Sequence, residues 1–272
     1  MKKLSYGAVV LGFFALSLPL TAYDNSPSSI QIIPEVIWAA ATGGGTWVTE
    51  LQITDFTGWS SIAINYFYSG NGSSGLHRYN NQLYIIPGQY RSVKSSNILA
   101  TLYAEDDTFN YYGTVGMLVI ATQDSGHVIK ATARTVNGNF GKTFPGLRNV
   151  DSNFANTGRY MVIQDLRQNA TYRTSVGCCN YSGGGYCYVT FYLHDENGVV
   201  IGSPFTKSFG NGQCITFNPF VQAGVPSGTY DNAWLYIVPT SVEYGTGGLM
   251  CYASTANNYT NDTYAHLATQ FQ

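Results

Sequence analysis

The sequence predicts an all-β protein built from two tandem antiparallel β-sandwiches that arose by internal duplication. Residues 46–56 recur in altered form at 171–181, where Thr, aromatic, Thr, aliphatic and Asp/Asn-aromatic positions keep the same spacing. In the first copy Trp47, Thr49 and Leu51 alternate with more polar residues, which is the period of a strand with one buried face and one solvated face. Elsewhere, short apolar runs separated by Gly, Pro and Asn turns favour a sandwich architecture.

The first residues have the pattern of a secretory signal peptide. Lys2 and Lys3 precede an apolar run at 8–20, and Thr21 and Ala22 provide the small residues that a cleavage site requires. The apolar run is shorter than the ~20 residues that span a bilayer. We therefore predict that residues 1–22 are a signal peptide, that no transmembrane segment remains after cleavage, and that the mature protein is secreted or displayed on the cell surface of a bacterium.

Composition argues against a nucleic-acid partner. The chain has 13 Lys and Arg against 15 Asp and Glu, and charged residues make up only 10% of it. Its basic residues are scattered along the sequence, so they predict no phosphate-binding face. The 22 tyrosines and 30 glycines instead indicate a β-rich protein whose surface is made of neutral hydrogen-bonding groups.

Alternating apolar residues and turn residues predict the strands of the first sandwich, residues 23–147. Ile30, Ile32 and Ile33 begin the first strand, and Pro34 restricts part of that strand to a sheet edge. A glycine turn at 43–45 leads into the repeated segment, and a turn at 57–58 leads into an alternating run at 62–68. Further strands are predicted at 83–86, 90–93, 115–121 and 127–136, between turn residues.

The second sandwich is assigned to residues 148–272, because the pattern restarts after a Gly- and Asn-rich junction at 138–156. Its opening strand is predicted at 160–165 and its last at 249–256. Between these, the segments expected to correspond are 189–193 with 62–66, 195–198 with 69–72, 214–217 with 90–93, and 234–238 with 117–121.

Cysteines are confined to the second half of the chain, at Cys178, Cys179, Cys187, Cys214 and Cys251. An exported protein folds in an oxidising compartment, so disulfides are the expected state. Two bridges leave one free thiol, and the pairing stays open. The sequence has no C-x-x-C and no His at ligand spacing from a cysteine. We therefore predict neither a metal site nor a cofactor.

Catalytic motifs are absent from the sequence. The G-x-G-x-x-G at positions 70–75 is followed by no helical period, so it is interpreted as a hairpin loop. The histidines at 77, 127, 194 and 266 are isolated, and no nucleophile elbow occurs. The acidic cluster at 105–107 is interpreted as a solvated loop, with a weak cation site as the alternative. We predict no catalytic residues and a non-enzymatic protein; a hydrolase whose triad forms only in the fold is a further hypothesis.

Runs of aromatic residues predict a contact surface. Neighbouring aromatic side chains at 66–68 and 109–112 cannot all face one core, so some of them are expected to be exposed. The candidate contact residues are Tyr66, Tyr68, Phe109, Tyr111 and Tyr112. Exposed Tyr suits stacking on sugar rings or contact with a protein, and an inert Tyr-rich surface is the alternative.

Several short segments together resemble one module of exported bacterial proteins. They are residues 33–34 with 45–49, 133–137 with 140–142, 172–174, and 251–255 with 258 and 260–262. The resemblance is to tandem immunoglobulin-like β-sandwich pairs, whose function is commonly unassigned, and it extends over nearly all of the mature chain. It implies the fold and export, and no catalytic residues come with it. The five cysteines depart from the pattern.

The expected function is therefore structural or adhesive, as a subunit of an extracellular filament or layer. In its specific form, residues 28–36, with Ile30, Ile32 and Ile33, leave their own domain and add a strand to the exposed sheet edge of a neighbour. The partners are other copies of the chain or cell-surface proteins and glycans. The alternative is a carbohydrate-binding module that uses the aromatic loops.

Overall fold

The computed structural model describes residues 24–41, 44–57, 59, 61–70, 81–84, 91–105, 110–149, 154–155, 157–181, 185–226, 228–242 and 248–271. These residues form mainly antiparallel β-sheet, which confirms the all-β prediction. The predicted signal peptide, most of the G-x-G-x-x-G segment, Phe109 and residues 106–107 of the acidic cluster lie outside the described residues. Among the described residues, no helix combines the length and apolar character required to cross a membrane.

The first unit, residues 30–148, contains nine described strands and one described helix. They are β1 (Ile30–Ala40), β2 (Thr46–Asp55), β3 (Ile62–Ser69), β4 (Asn81–Tyr84), β5 (Ser92–Ser95), α1 (Ile98–Glu105), β6 (Thr114–Thr122), β7 (Ile129–Asn137), β8 (Phe140–Pro145) and β9 (Leu147–Arg148). The strands follow the order β4-β3-β6-β1-β2-β7-β8, with β5 paired to β2 and β9 paired to β1.

The second unit, residues 160–271, has two sheets. Its elements are β10 (Tyr160–Gln168), β11 (Tyr172–Asn180), β12 (Cys187–His194), β13 (Phe205–Phe209), β14 (Cys214–Phe217), α2 (Pro219–Gln222), β15 (Tyr230–Val242), β16 (Leu249–Asn257), β17 (Thr263–Leu267) and β18 (Thr269–Phe271). One sheet has the order β13-β12-β15-β10-β18, and the other has the order β14-β11-β16-β17.

The strand pairing of the second unit repeats that of the first. The strands β4-β3-β6-β1-β9 take the same order as β13-β12-β15-β10-β18, and β5-β2-β7-β8 take the same order as β14-β11-β16-β17. Both helices occupy the same place in the chain, between the fifth and sixth strands of their unit. The difference is a short pairing of β1 with β2, from Trp38 to Ala40, which joins the two layers of the first unit into one continuous sheet.

This pairing agrees with an immunoglobulin sandwich in part. Such a sandwich pairs its second strand with its fifth and its third strand with its sixth, and both units have these pairs. The outer strands differ, because β1 lies beside β6, where an immunoglobulin domain has its seventh strand. Conversely, β7 lies beside β2, the place of the first strand.

Each unit buries an apolar core between its two layers. In the first unit, Leu51 of β2 and Leu118 of β6 belong to one buried cluster with the helix α1. In the second unit, Val176 of β11, Phe191 of β12 and Leu235 of β15 belong to another. Full burial of side chains of this size contributes roughly 1.5–3 kcal/mol each, so each unit has its own source of stability.

A buried threonine pair ties the two layers of the first unit together. Thr49 on β2 and Thr135 on β7 lie opposite each other, and their hydroxyl oxygens are 3.0 Å apart. The backbone N–H of Ile37, on β1 in the opposite layer, donates to the Thr49 hydroxyl at 2.8 Å. The Thr49 side chain therefore accepts a backbone N–H of β1 just after the bulge between Ile33 and Val36.

The second unit has the same arrangement. Thr174 on β11 and Thr255 on β16 are opposite each other, with their hydroxyl oxygens 2.8 Å apart. The backbone N–H of Arg167, after the bulge in β10, donates to the Thr174 hydroxyl at 2.9 Å. The two units thus join their layers by the same hydrogen bonds at equivalent positions.

The structure corrects three details of the sequence interpretation. Pro34 does not mark an edge, since it lies in the bulge of a central strand. The predicted match of residues 62–66 with 189–193 is wrong by one residue. Tyr66 lies opposite Val119, and Tyr192 lies opposite Tyr236. Since Val119 and Tyr236 have equivalent places in β6 and β15, Tyr66 is equivalent to Tyr192. Residues 214–217 correspond to 92–95 rather than to 90–93.

Two short helices were also missed, although both begin at an Asn with a capping side chain. Asn97 accepts a hydrogen bond from the Ala100 N–H, and Asn218 accepts from the N–H of Phe220 just after Pro219 at the first helical position. Each helix is too short to show a helical period in the sequence.

Removing one hydroxyl of the threonine pair tests its role. Thr49→Val keeps the shape of the side chain but leaves the Ile37 N–H and the Thr135 hydroxyl without their partner, so we expect a loss of about 1–3 kcal/mol in urea unfolding. Thr54→Val is the matched control, because Thr54 bonds Ser92 on the exposed face of the same strand. Equal losses in both variants would contradict a special role for the buried pair.

Candidate functional site

The two units pack face to face through apolar side chains. The outward side of the β3, β6, β1 and β9 layer carries a surface that we call the junction patch, composed of Ile30, Ile32, Tyr66, Tyr68, Met117, Val119 and Leu147. It packs against Cys179, Cys214 and Met250 on the β14-β11-β16 layer of the second unit, and Phe154 from the connecting segment joins the cluster. Since Ile32, Met117 and Val119 are almost completely buried, this layer is covered on both sides.

One glycine makes room for an aromatic ring that the second unit presents to the first. A Cβ at Gly177 would lie 2.1 Å from the ring of Tyr252, so only glycine leaves room for that ring on the second unit's layer. The Tyr252 ring meets the ring of Phe144 from β8 edge to face, with centroids 5.4 Å apart. The Cys214 Sγ, which has no proton because it is bridged to Cys179, contacts the Tyr68 carbonyl oxygen at 3.4 Å.

Two disulfides lie on opposite faces of one sheet. Cys178 is bridged to Cys251 and Cys179 to Cys214, which confirms the prediction of disulfides and resolves their pairing. Successive side chains of a strand point to opposite faces, so the first bridge lies in the core of the second unit and the second bridge lies in the junction. The loops closed span 73 and 35 residues, for which chain entropy predicts about 4 kcal/mol each.

Cys187 is the remaining cysteine, and it is a buried thiol at the start of β12. Its side chain belongs to the core of the second unit. Burial raises the pKa of this thiol to about 12, so at neutral pH it stays protonated. It therefore acts as a small apolar side chain rather than as a nucleophile.

A cleft of about 210 Å³ opens beside the junction and contains a buried ion pair. In it, the Lys142 ammonium lies 2.7 Å from a carboxylate oxygen of Glu35 and donates to the Ser254 hydroxyl at 2.7 Å. Both members of the ion pair are almost completely buried. Burial, reinforced by the Glu35 carboxylate, raises the pKa of the adjacent Tyr252 hydroxyl well above its usual value.

This cluster is better suited to joining the units than to catalysis. A lysine that activates a serine must accept its proton, whereas the Lys142 ammonium is held by the Glu35 carboxylate. Glu35 and Lys142 come from the first unit, and Ser254 and Tyr252 come from the second. Their contacts therefore fix the orientation of the two units.

A second buried polar pair lies at the far end of the first unit. His127 Nε2 and Asp55 Oδ2 are 2.8 Å apart, and both side chains are fully buried. The other Asp55 oxygen accepts the backbone N–H of Thr57 at 2.7 Å. Among the residues that the structure describes, the remaining ring nitrogen, His127 Nδ1, has no hydrogen-bond partner, so none of their hydroxyls completes a triad here. The pair anchors the loops at the ends of β2 and β7.

The second unit carries a counterpart of the Glu35 cluster at its surface. Asp165 lies in the bulge of β10 with a left-handed φ of 57°, and it accepts a hydrogen bond from Arg167 at 3.0 Å. His266 Nε2 is 3.7 Å from the same carboxylate, and the Arg167 guanidinium lies over the Tyr264 ring. Burial, which outweighs the nearby Asp165 carboxylate, lowers the pKa of His266.

The predicted contact residues take different places in the structure. Tyr68 is buried and Tyr66 is partly buried in the junction patch, where they contact the second unit of the same chain. Tyr111 is fully buried in the first core, whereas Tyr112 is 48% exposed and meets Trp38 edge to face. Phe109 lies outside the described residues. The structure thus does not bring these five residues together as one surface.

The segment predicted for strand addition lies inside its own sheet. Ile30, Ile32 and Ile33 all pair with β6, and Ile32 also pairs with β9. Ile32 and Ile33 are fully buried, on opposite faces of the sheet. Strand addition by this segment stays a prediction, and it would require β1 to leave both of its neighbours.

An aromatic sheet face was not identified from the sequence. It lies on the outward side of β12, β15 and β10, and we call it the outer patch: Tyr160, Val162, Tyr192, His194, Trp234 and Tyr236. The Tyr236 ring lies 5.6 Å from the Tyr160 ring and 6.0 Å from the Tyr192 ring, and His194 stacks on Trp234 at 3.9 Å. All six side chains are half-buried, and none of them belongs to a buried apolar cluster of the described residues.

The cysteine assignment predicts a definite labelling pattern. Iodoacetamide is expected to label no thiol in the native protein, one after unfolding without reductant, and five after unfolding with reductant, because two bridges and the buried Cys187 account for all the sulfurs. Mass spectrometry of the intact protein counts the labels. Three labels after unfolding without reductant would show that one bridge is absent.

Breaking the buried ion pair of the cleft tests its structural role. Lys142→Met leaves the Glu35 carboxylate buried without its partner, so we expect a loss of about 3–5 kcal/mol in urea unfolding. Glu35→Gln combined with Lys142→Met is expected to lose much less, because no charge is left uncompensated.

The matched control for that prediction is Arg134→Met. Arg134 pairs with Glu50 on the exposed face of the first unit, at 3.6 Å and with both side chains largely solvated. Its removal is expected to change the unfolding free energy by less than about 1 kcal/mol. A double variant as unstable as Lys142→Met alone would contradict the assignment of the loss to an unpaired buried carboxylate.

Comparisons with known proteins identify no family. No family model and no curated protein matches the chain. Solved structures of infectious bursal disease virus align at low identity: the Gt strain at 10% over 93% of this chain and 70% of that chain, with a TM-score of 0.20. The Gx strain aligns at 9% over 90% and 72%, with a TM-score of 0.21, and the VP2 subviral particle at 10% over 93% and 74%, with a TM-score of 0.20. Scores this low support neither a shared fold nor a shared function.

Proposed function

We propose that this chain is an exported, non-enzymatic protein of the cell surface or extracellular space, which has a structural or adhesive role and acts by contact. The observation that carries the proposal is the outer patch, an aromatic face on the outermost layer of the second unit. Large apolar surfaces of this kind mark sites of contact with other molecules. Partners of the chain in this role are other copies of itself or cell-surface proteins and glycans.

The proposed architecture is a duplicated immunoglobulin-like sandwich, with units at 23–147 and 148–272. Two observations support duplication: all nine described strands of each unit pair in the same order, and the two threonine pairs form the same contacts at equivalent positions. The pairs of second with fifth strand and third with sixth strand support the immunoglobulin-like assignment. The exchanged positions of the outer strands make it a variant of that fold.

Export is supported by the two disulfides and by the sequence pattern of residues 1–22. Disulfides persist in oxidising compartments and are rare in the cytosol. Both bridges join directly opposed residues on neighbouring strands, which fits bridges that form as the sheet folds. The proposed location is therefore outside the cytoplasm, with the mature chain starting near Tyr23.

The non-enzymatic assignment is supported by the roles of the polar clusters. The Glu35–Lys142 pair contacts both units, and Asp55–His127 anchors two loops. Cys187 is a buried, protonated thiol. Among the described residues, no group of His, Cys, Asp and Glu has the arrangement of a metal site. Each cluster thus has a structural task that accounts for its residues.

Carbohydrate binding is the second candidate, and exposed tyrosines on the second unit favour it. Tyr186 and Tyr188 are each more than 40% exposed, and their ring centroids lie 6.2 Å apart with the rings tilted by 32°. Neighbouring exposed rings of this kind can stack on successive sugar units. A glycan array on wild type and on Tyr186→Ala with Tyr188→Ala tests it: binding that the double variant loses would favour this candidate over the first.

Fractionation of cells that produce the full chain tests the first candidate. We expect the protein outside the cytoplasm, with its N-terminus near Tyr23 and both disulfides formed, and we expect electron microscopy of the native material to show it within an ordered assembly or on the cell surface. Purified protein is expected to leave generic ester, peptide and glycoside substrates unchanged. Retention in the cytoplasm, or turnover that Lys142→Met abolishes, would contradict the proposal.

A further inference from the structure

The outer patch occupies the position in the second unit that the junction patch occupies in the first. Strand register establishes this equivalence without any sequence alignment: Ile32 is opposite Val119 in the first unit, as Val162 is opposite Tyr236 in the second. Extending the register along each strand gives the remaining pairs. The equivalent residues are Ile30 and Tyr160, Ile32 and Val162, Tyr66 and Tyr192, Tyr68 and His194, Met117 and Trp234, and Val119 and Tyr236.

The chemistry of the two patches is similar, but their surroundings differ. In the first unit, each of these positions is apolar or aromatic, and the patch is covered by a sheet of the second unit. In the second unit five of the six positions are apolar or aromatic, and the sixth, His194, presents a ring stacked on Trp234. No Asp, Glu, Lys or Arg occurs among the outward residues at 190–194, 234–238 and 160–162. The same face is therefore a buried docking face in the first unit, whereas in the second unit its side chains are only half-buried.

A head-to-tail stack of chains is one way to cover the outer patch. In such a stack, the first unit of a second copy would lie on the outer patch through its β5-β2-β7 face. Within one chain, the β14-β11-β16 face lies on the junction patch in the same way. That face carries Glu50, Lys94 and Arg134, whereas the equivalent face of the second unit presents Cys179 and Met250. Glu50 and Arg134 form a largely solvated ion pair at 3.6 Å. Taking that pair and the Lys94 ammonium out of water against tyrosine rings carries a desolvation cost of several kcal/mol per ion, which so loose a pair does not repay. The charged face thus suits the solvated end of a stack, as terminal repeats do in other repeat proteins.

A second copy of the outer patch has no such obstacle. It is uncharged apart from His194, and tyrosine rings provide apolar area together with hydroxyls that bond at the edge of a contact. An interface of a surface with itself is isologous and closes at a dimer. We propose that two copies of this chain pair through the outer patch, Tyr160, Val162, Tyr192, His194, Trp234 and Tyr236, about a two-fold axis.

This pairing rests on the proposed function, for which it specifies the contact surface and the partner. The dimer places the two charged faces of the first units at opposite ends. It also brings eight sheet layers into one stack, four from each chain. Any larger assembly is then built from this dimer and not from the single chain.

Sedimentation equilibrium on the mature, disulfide-bonded chain tests the pairing. We expect wild type to have twice the mass of one chain at micromolar concentration. Tyr236→Glu puts a carboxylate at the centre of the patch in both copies, and we expect it to weaken the dimer by about 100-fold, since two buried charges are left without partners. Val162→Lys is the second patch variant, and far-ultraviolet circular dichroism with urea unfolding confirms that each variant is folded.

The matched control is Arg134→Glu, which reverses a charge on the face that a head-to-tail stack would use. We expect it to leave the dimer unchanged. Weakening of self-association by Arg134→Glu as well as by Tyr236→Glu would overturn the two-fold arrangement in favour of a head-to-tail stack. Wild type that remains monomeric up to millimolar concentration, or a monomer whose outer patch binds a glycan, would overturn the proposal altogether. Since export and surface location are measured separately, a monomeric exported protein would leave the proposed function standing.

Discussion

Apolar packing of one sheet on another fixes the two units of the chain against each other. The β3-β6-β1-β9 layer is apolar on both sides: Ile33 and Leu118 face the first core, and Ile32 and Val119 face the second unit. A sheet of this kind requires a cover on each side, because apolar surface is stable only when it is removed from water. The first unit therefore depends on the β14-β11-β16 layer, in which the Cys179–Cys214 bridge ties β11 to β14.

Residues at equivalent positions of the two units make the same contacts in some places and different contacts in others. The Thr49–Thr135 and Thr174–Thr255 pairs join the layers in the same way, since one hydroxyl of each pair accepts a backbone N–H from the strand of the opposite layer that carries the bulge. Glu35 and Asp165 both lie in those bulges, yet the first is buried against Lys142 in the junction and the second faces Arg167 near the surface. The difference follows from location, because only the first of the two bulges is covered by another unit.

Sequence patterns predicted the strands well, above all the repeated segment. The alternation of Thr49, Leu51 and Ile53 with polar residues gave the correct buried face of β2, because its other face is solvated. The same reasoning gave the wrong correspondence for β3, since Phe67 and Tyr68 are both buried, on opposite faces. Where both faces of a strand are covered, alternation does not identify the inner one.

The candidate sites were less predictable, because they depend on neighbours distant in the sequence. Adjacent Cys178 and Cys179 necessarily face opposite sides of a strand, but which cysteine lies across from each is set by register. Tyr111 is buried although it lies between α1 and β6, since its ring belongs to the first core and meets the ring of Phe67. The outer patch is assembled from three strands, and in each of them the aromatic residues alternate with core residues. Single-strand patterns therefore indicate an aromatic face without showing that the three strands are neighbours.

An experimental structure of the mature chain, determined at a concentration where self-association is complete, tests the central claim most directly. The two units are expected to show the same strand order, with the outer patch of the second unit buried against the same patch of another copy about a two-fold axis. An outer patch left in solvent, with the copies joined through the charged face of the first unit, would contradict the claim that both units dock through the same face.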